Sequence, residues 1–105
     1  MIGDNSRNNS LSFYCGLVIK KLRKERGFSG LKLAKKLNIS QQQMSRYERG
    51  VNKLSIDTLF SILTILDVSF EKLLRLLIIE IKSSDSSDAF YLKEKISILD
   101  SIYFC

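Results

Sequence analysis

Four side chains close together, Gln41, Gln42, Ser45 and Arg46, carry the hydrogen-bonding chemistry most worth following in this sequence. A glutamine carboxamide presents a donor beside an acceptor, which fits the N6 and N7 edge of adenine. An arginine guanidinium presents two parallel donors, which fit the O6 and N7 edge of guanine. Such groups read a base only if a rigid element aims them together. If Gln41 to Glu48 is a helix, Gln41, Gln42 and Arg46 fall on an outward face, while Met44 and Tyr47, three apart, turn together toward a core. A polar helix start that is merely solvated looks the same in isolation, so the neighbouring elements have to decide.

Other chemistries are poorly provided for. The chain has no histidine, and its two cysteines, Cys15 and Cys105, form no CxxC pair, so neither a zinc site nor a disulfide framework is expected. Both read as reduced thiols, with Cys15 facing the core or a neighbour. The acids are scattered, and there is no nucleophile motif or phosphate-cradling glycine loop. No catalytic residue, metal or cofactor is therefore expected.

Charge narrows the partner. Of the net +6, residues 13–57 hold eleven Lys or Arg against Glu25, Glu48 and Asp57, a surplus of +8, whereas residues 58–105 hold five basic against seven acidic. A basic head followed by an apolar, mildly acidic tail suits a polyanion-binding unit with a packing or pairing element, although a basic solvated surface has the same balance. Residues 1–10 lack the apolar stretch of a signal peptide, and the run Leu73 to Ile81 is interrupted by Arg75 and Glu80. That run is far short of the roughly 20 residues that span a bilayer. A cytoplasmic protein without a membrane partner is expected.

The elements that would position the four side chains are helices. With 105 residues, no proline and almost no short-period alternation, the chain reads as one all-α domain. A polar, disordered tail over 1–11 is expected to precede a first helix capped by Ser12. Phe13, Leu17, Val18, Ile19 and Leu22 would line its apolar face, and Gly27 would end it. Ser29 caps a second helix to Leu37, Asn38 suits a left-handed turn, and Ser40 caps the helix carrying the four polar side chains. Two short helices joined by such a turn form a helix-turn-helix unit. Ser55 and Ser69 open two further helices, reaching about Leu66 and Lys82. The domain then spans 12–82, followed by a flexible, Ser- and Asp-rich linker over 83–89 and an amphipathic helix over 90–105. Leu22, Leu33, Ala34, Ile39, Met44, Tyr47, Leu59 and Ile62 are the expected core.

Two segments, Ser29-Gly30-Leu31-Lys32-Leu33-Ala34 and Ser45-Arg46-Tyr47-Glu48-Arg49-Gly50, keep the spacing of a known pattern. Through them the region Leu17 to Leu74 resembles the Cro/C1-type (XRE) helix-turn-helix family. The wording from Leu37 to Lys53 looks more narrowly like the MrpJ-type regulators encoded with fimbrial operons. The resemblance implies a five-helix, lambda-repressor-like domain, here with an additional C-terminal helix, that binds double-stranded DNA at promoters and regulates transcription. The narrower likeness implies control of flagellar motility against fimbrial adhesion.

The resemblance implies Gln41, Gln42, Ser45 and Arg46 as base readers and Arg23 with Glu48 as an ion pair orienting the third helix. It places Gly30, where the family usually has a glutamine, among the phosphate contacts, so that only a backbone amide is offered there. Lys32, Lys35, Gln43, Arg49 and Lys53 complete the expected phosphate-contacting set. A homodimer is expected, pairing through Leu73, Leu77, Ile78 and Ile81 of the fifth helix and Leu92, Ile96, Leu99 and Tyr103 of the last. Folding back of the last helix onto its own domain is the equal alternative, because periodicity identifies a face and not its partner. Rival readings are an antitoxin or antirepressor acting through protein contacts, and a phage-type repressor.

Overall fold

The computed structural model describes residues 5–84 and 89–96, with side chains from Leu11 onward. It is helical throughout its regular elements: α1 (Asn5–Glu25), α2 (Gly30–Leu37), α3 (Gln41–Glu48), α4 (Ile56–Leu66) and α5 (Phe70–Lys82). A further helix, α6, occupies residues 89–96.

The short helices start and stop where local chemistry dictates. Ser29, Ser40, Ser55 and Ser69 each take an extended backbone, and each hydroxyl oxygen accepts a hydrogen bond at 3.0 Å from the amide three residues on. Each cap satisfies one donor that the helix itself cannot, which contributes about 1 kcal/mol. Asn38 and Asp67 close α2 and α4 in the left-handed conformation, at φ 61° and 57°, which short polar side chains tolerate.

The first helix departs from expectation. Ser12 is not a cap, because α1 already runs from Asn5 through it and the expected disordered stretch over 5–11 is helical. No glycine or proline lies between Asn5 and Ser12, so nothing obliges the helix to begin at the serine, and a mid-helix serine costs only a few tenths of a kcal/mol. Phe13, assigned to the apolar face, is exposed.

The core joins α1, α2, α3, α4 and α5. Val18, Ile19, Leu22, Leu33, Ala34, Met44, Ile62, Leu63 and Leu66 are all but inaccessible, and Ile39, Tyr47 and Leu59 pack half-buried against them. α2 lies against α3 and α4, and α1 lies against α3 and α5.

Of the two alternatives for the last helix the structure shows the folded-back one, and it also buries the face of the fifth helix that was expected to pair. Leu73, Leu77, Ile78, Ile81 and Leu92 are buried within the chain, and Ile96 packs half-buried against its core; Leu99 and Tyr103 lie outside the described residues. Ala89, assigned to the linker, is helical and fully buried, so α6 folds back on its own domain. Two polar ties hold this end: the Tyr14 hydroxyl and Ser84 Oγ share a hydrogen bond of 2.7 Å, and Lys93 Nζ donates to the Ser84 carbonyl at 3.0 Å. A fully apolar helix face is stabilised wherever it meets another, and here the partner lies in cis.

Candidate nucleic-acid interface

α3 is held from below and left bare above. Met44 and Glu48 are buried and Tyr47 is half-buried, whereas Gln41, Gln42, Ser45 and Arg46 are exposed. The division follows helical periodicity, with 44, 47 and 48 on one side and 41, 42, 45 and 46 on the other. The four expected base readers thus share the free face of one short helix.

Glu48 is fastened by two charge-assisted hydrogen bonds. Arg23 of α1 donates from Nε to Oε2 at 2.6 Å and from Nη2 to Oε1 at 3.0 Å, and its Nη1 donates to the Phe28 carbonyl at 2.8 Å. The two side chains are 10% and 7% exposed, so the guanidinium and carboxylate are almost removed from water. A planar fork meeting a carboxylate in this way fixes direction as well as distance. One arginine therefore ties the C-terminal turn of α3, the last turn of α1 and the turn entering α2 together.

Two glycines perform a positioning role that the sequence reading missed. A Cβ on Gly16 would stand 2.5 Å from the Tyr47 carbonyl oxygen and 2.6 Å from that of Glu48; one on Gly50, which has φ +74°, would stand 2.5 Å from the Phe13 Cα. α1 and the end of α3 thus meet backbone to backbone, closer than any side chain allows. For Gly16 the signal available was a lone glycine inside an otherwise helical pattern, which often marks a packing contact.

The expected phosphate-contacting residues surround this face with differing freedom. Lys32, Lys35, Arg49 and Lys53 are exposed. The Lys32 ammonium lies 4.7 Å from the centre of the Phe28 ring, a cation–π contact that steadies it at the first turn of α2. Gln43 is half-buried, and its Oε1 accepts a long, 3.4 Å hydrogen bond from Asn52 Nδ2 in the loop after α3. Its carboxamide is partly engaged inside the chain. Gly30 opens α2, and a Cβ there would find only Arg23 Cζ, at 4.0 Å.

Cys15 is buried, and desolvation pushes its thiol up to about 11 from the usual 9.0, so it is protonated at neutral pH and a poor nucleophile. Among the described residues no group of His, Cys, Asp or Glu is arranged to hold a metal ion, and no helix is long and apolar enough to cross a membrane.

Comparison with known proteins agrees with this geometry. Residues 19–73 match the helix-turn-helix family HTH_3, a span that begins in α1 and ends in α5. The crystal structure of the wild-type restriction-modification controller protein C.Esp1396I is similar, with 35% identity, coverage of 70% of this chain and 96% of that one, and a TM-score of 0.65. The clp gene regulator ClgR from Corynebacterium glutamicum shares the fold at 21% identity, with coverage of 89% of this chain and 94% of that one and a TM-score of 0.64. No curated protein sequence gives a match. Capped α2, turn and anchored α3, together with a matched span that covers more than half of the chain, make this chain a member of the helix-turn-helix family.

Proposed function

We propose that this chain is a sequence-specific transcription regulator that reads the major groove of duplex DNA with α3, as a homodimer. The observation that carries this reading is the division of α3, with four exposed hydrogen-bonding side chains above and a buried Arg23–Glu48 fork, Met44 and the Gly16 and Gly50 contacts below. Base discrimination requires donors held to a fraction of an ångström, and a helix anchored at its end supplies that rigidity. Lys32, Lys35, Arg49 and Lys53 add attraction for phosphates without regard to sequence. Similarity to a controller protein supports a regulatory role.

One module contacts few bases, so pairing of two modules on half-sites about one helical turn apart supplies the remaining affinity. The wording from Leu37 to Lys53 supports a narrower circuit, the choice between flagellar motility and fimbrial adhesion. Selection of bound genomic fragments at near-physiological salt tests both levels. Enriched flagellar control promoters are the expected result, and enrichment of one unrelated motif would retain the DNA reading while removing the circuit. In the same assay Gln42→Ala and Arg46→Ala should each weaken specific binding by about 1–3 kcal/mol. Normal operator selection by the doubly substituted protein would remove α3 as the reader.

A further inference from the structure

The backbone beyond α3 turns back beside the helix it has just left. The Gly50 amide donates to the Tyr47 carbonyl at 3.1 Å and the Val51 amide to the Arg46 carbonyl at 3.0 Å, with Gly50 at φ +74°. A left-handed glycine carrying this pair of bonds reverses the chain in a fixed way. The next residue, Asn52, is half-buried, and its Nδ2 donates to Oε1 of Gln43, nine residues earlier in the first turn of α3, at 3.4 Å. Gln43 is fixed in turn by its own amide, which donates to Ser40 Oγ at 3.0 Å. Both partners of the side-chain bond therefore stand on backbone that is already tied.

This bond decides what Gln43 can offer to another molecule. A carboxamide carries an acceptor and two donors and can turn either end outward. With Oε1 turned inward to Asn52, Gln43 presents its Nε2 donors. Position 43 lies about 60° round the helix axis from the exposed Arg46, on the side of half-buried Tyr47, so it borders the free face of α3 and does not lie at its centre. The border of a helix seated in a groove meets the wall of that groove, where the phosphates are, and a phosphate oxygen is an acceptor only. A carboxamide locked with its donors outward matches that chemistry, whereas an unrestrained one also presents an oxygen that a phosphate repels.

We infer that Asn52 is a positioning residue for DNA binding, holding the Gln43 carboxamide so that Nε2 donates to a phosphate oxygen at the wall of the major groove. Asn52 acts through Gln43, and it has this role only if α3 enters the groove, the reading proposed above. Lys53, the next residue, attracts phosphates by charge; the Gln43 bond selects one oxygen.

The test measures binding of the full chain to a duplex fragment recovered in the genomic selection, and to copies of it with a single methylphosphonate, an uncharged phosphate replacement, at each backbone position in turn. Gln43→Ala should weaken binding about tenfold, the loss of a hydrogen bond to a charged group. Asn52→Ala should weaken it about two- to tenfold, the cost of ordering one long side chain only on binding. In a Gln43→Ala background Asn52→Ala should have no effect, because no carboxamide remains to be oriented. Its effect in the natural background should vanish on fragments substituted at one phosphate per half-site and persist on the others. The salt-dependence slope should stay unchanged, since a neutral donor releases no counterion, whereas a loosened loop that withdrew Lys53 would lower the slope by about one. Natural binding by Asn52→Ala, an effect that survives in the Gln43→Ala background, a lowered slope, or an altered preference among bases would overturn the role of Asn52 and leave α3 as the reader. A natural chain that binds no duplex fragment would overturn both.

Discussion

Arg23 and Glu48 are the only charged residues buried among those described, and their burial sets how much it costs to disturb them. An ion pair withdrawn from water roughly breaks even against desolvation while both partners remain, but losing one strands the other. Glu48→Ala should therefore lower stability by about 3–5 kcal/mol in urea unfolding. The double substitution Arg23→Met with Glu48→Leu should recover part of that loss while still weakening operator binding, because the apolar pair packs but does not aim α3. Equal losses in the single and double variants would argue against stranding. Cys15 provides a second residue-level test. Its folded-state pKa is raised by burial to about 11 from 9.0, so above pH 9 the unfolded chain loses a proton that the folded chain keeps, and stability falls with rising pH up to about 11. Below pH 9 the contribution is fully present. The melting temperature of the natural protein should accordingly fall more steeply between pH 9 and 11 than that of Cys15→Ala, by the equivalent of about 1.4 kcal/mol per pH unit. Parallel curves would show that the thiol meets more water than its position implies. The sequence named Glu48 and Arg23 through a family pattern, and left Cys15 facing either the core or a neighbour, but burial depth and the third bond to Phe28 depend on how separate segments meet.

At the scale of elements, three glycines, one within α1, one opening α2 and one in the turn after α3, behave differently. Gly16 and Gly50 sit where two backbones touch, so Gly16→Ala and Gly50→Ala should each cost about 1–3 kcal/mol through overpacking, the latter with added strain from its positive φ. At the start of α2 a Cβ on Gly30 would meet only Arg23 Cζ, at an ordinary van der Waals distance of 4.0 Å, so Gly30→Ala should stabilise by about 0.4–1 kcal/mol. Thermal melting of the three variants checks the order, and a stabilised Gly16→Ala would refute the close contact between α1 and α3. Helix ends were readable because a serine cap or a left-handed Asn acts on its immediate neighbours. The start of α1 was misread for the same reason in reverse, since Ser12 has a cap's chemistry but no break in the chain before it.

At the scale of the whole molecule, the +6 charge acts as a field directed at a polyanion. Lys35→Ala and Lys53→Ala should reduce affinity for all DNA sequences alike and lower the salt-dependence slope by about one each. Loss confined to the preferred operator would reassign those lysines to base reading. What the sequence by itself determined is local in cause: the all-α class, the extents of α2 to α5, the serine caps, and which face of α3 is polar. These follow from neighbours within one or two helical turns. The tertiary structure decided which apolar faces meet. Leu73, Leu77, Ile78, Ile81 and Leu92 form an inviting stripe in one dimension, yet in three they are consumed by the chain's own core, leaving Phe60 and Phe70 outside. It also decided that Gly16 is a contact and not a flaw. Hydrophobic burial has no direction of its own, so a pattern specifies that a face must be covered, and only the packing of the entire chain specifies by what.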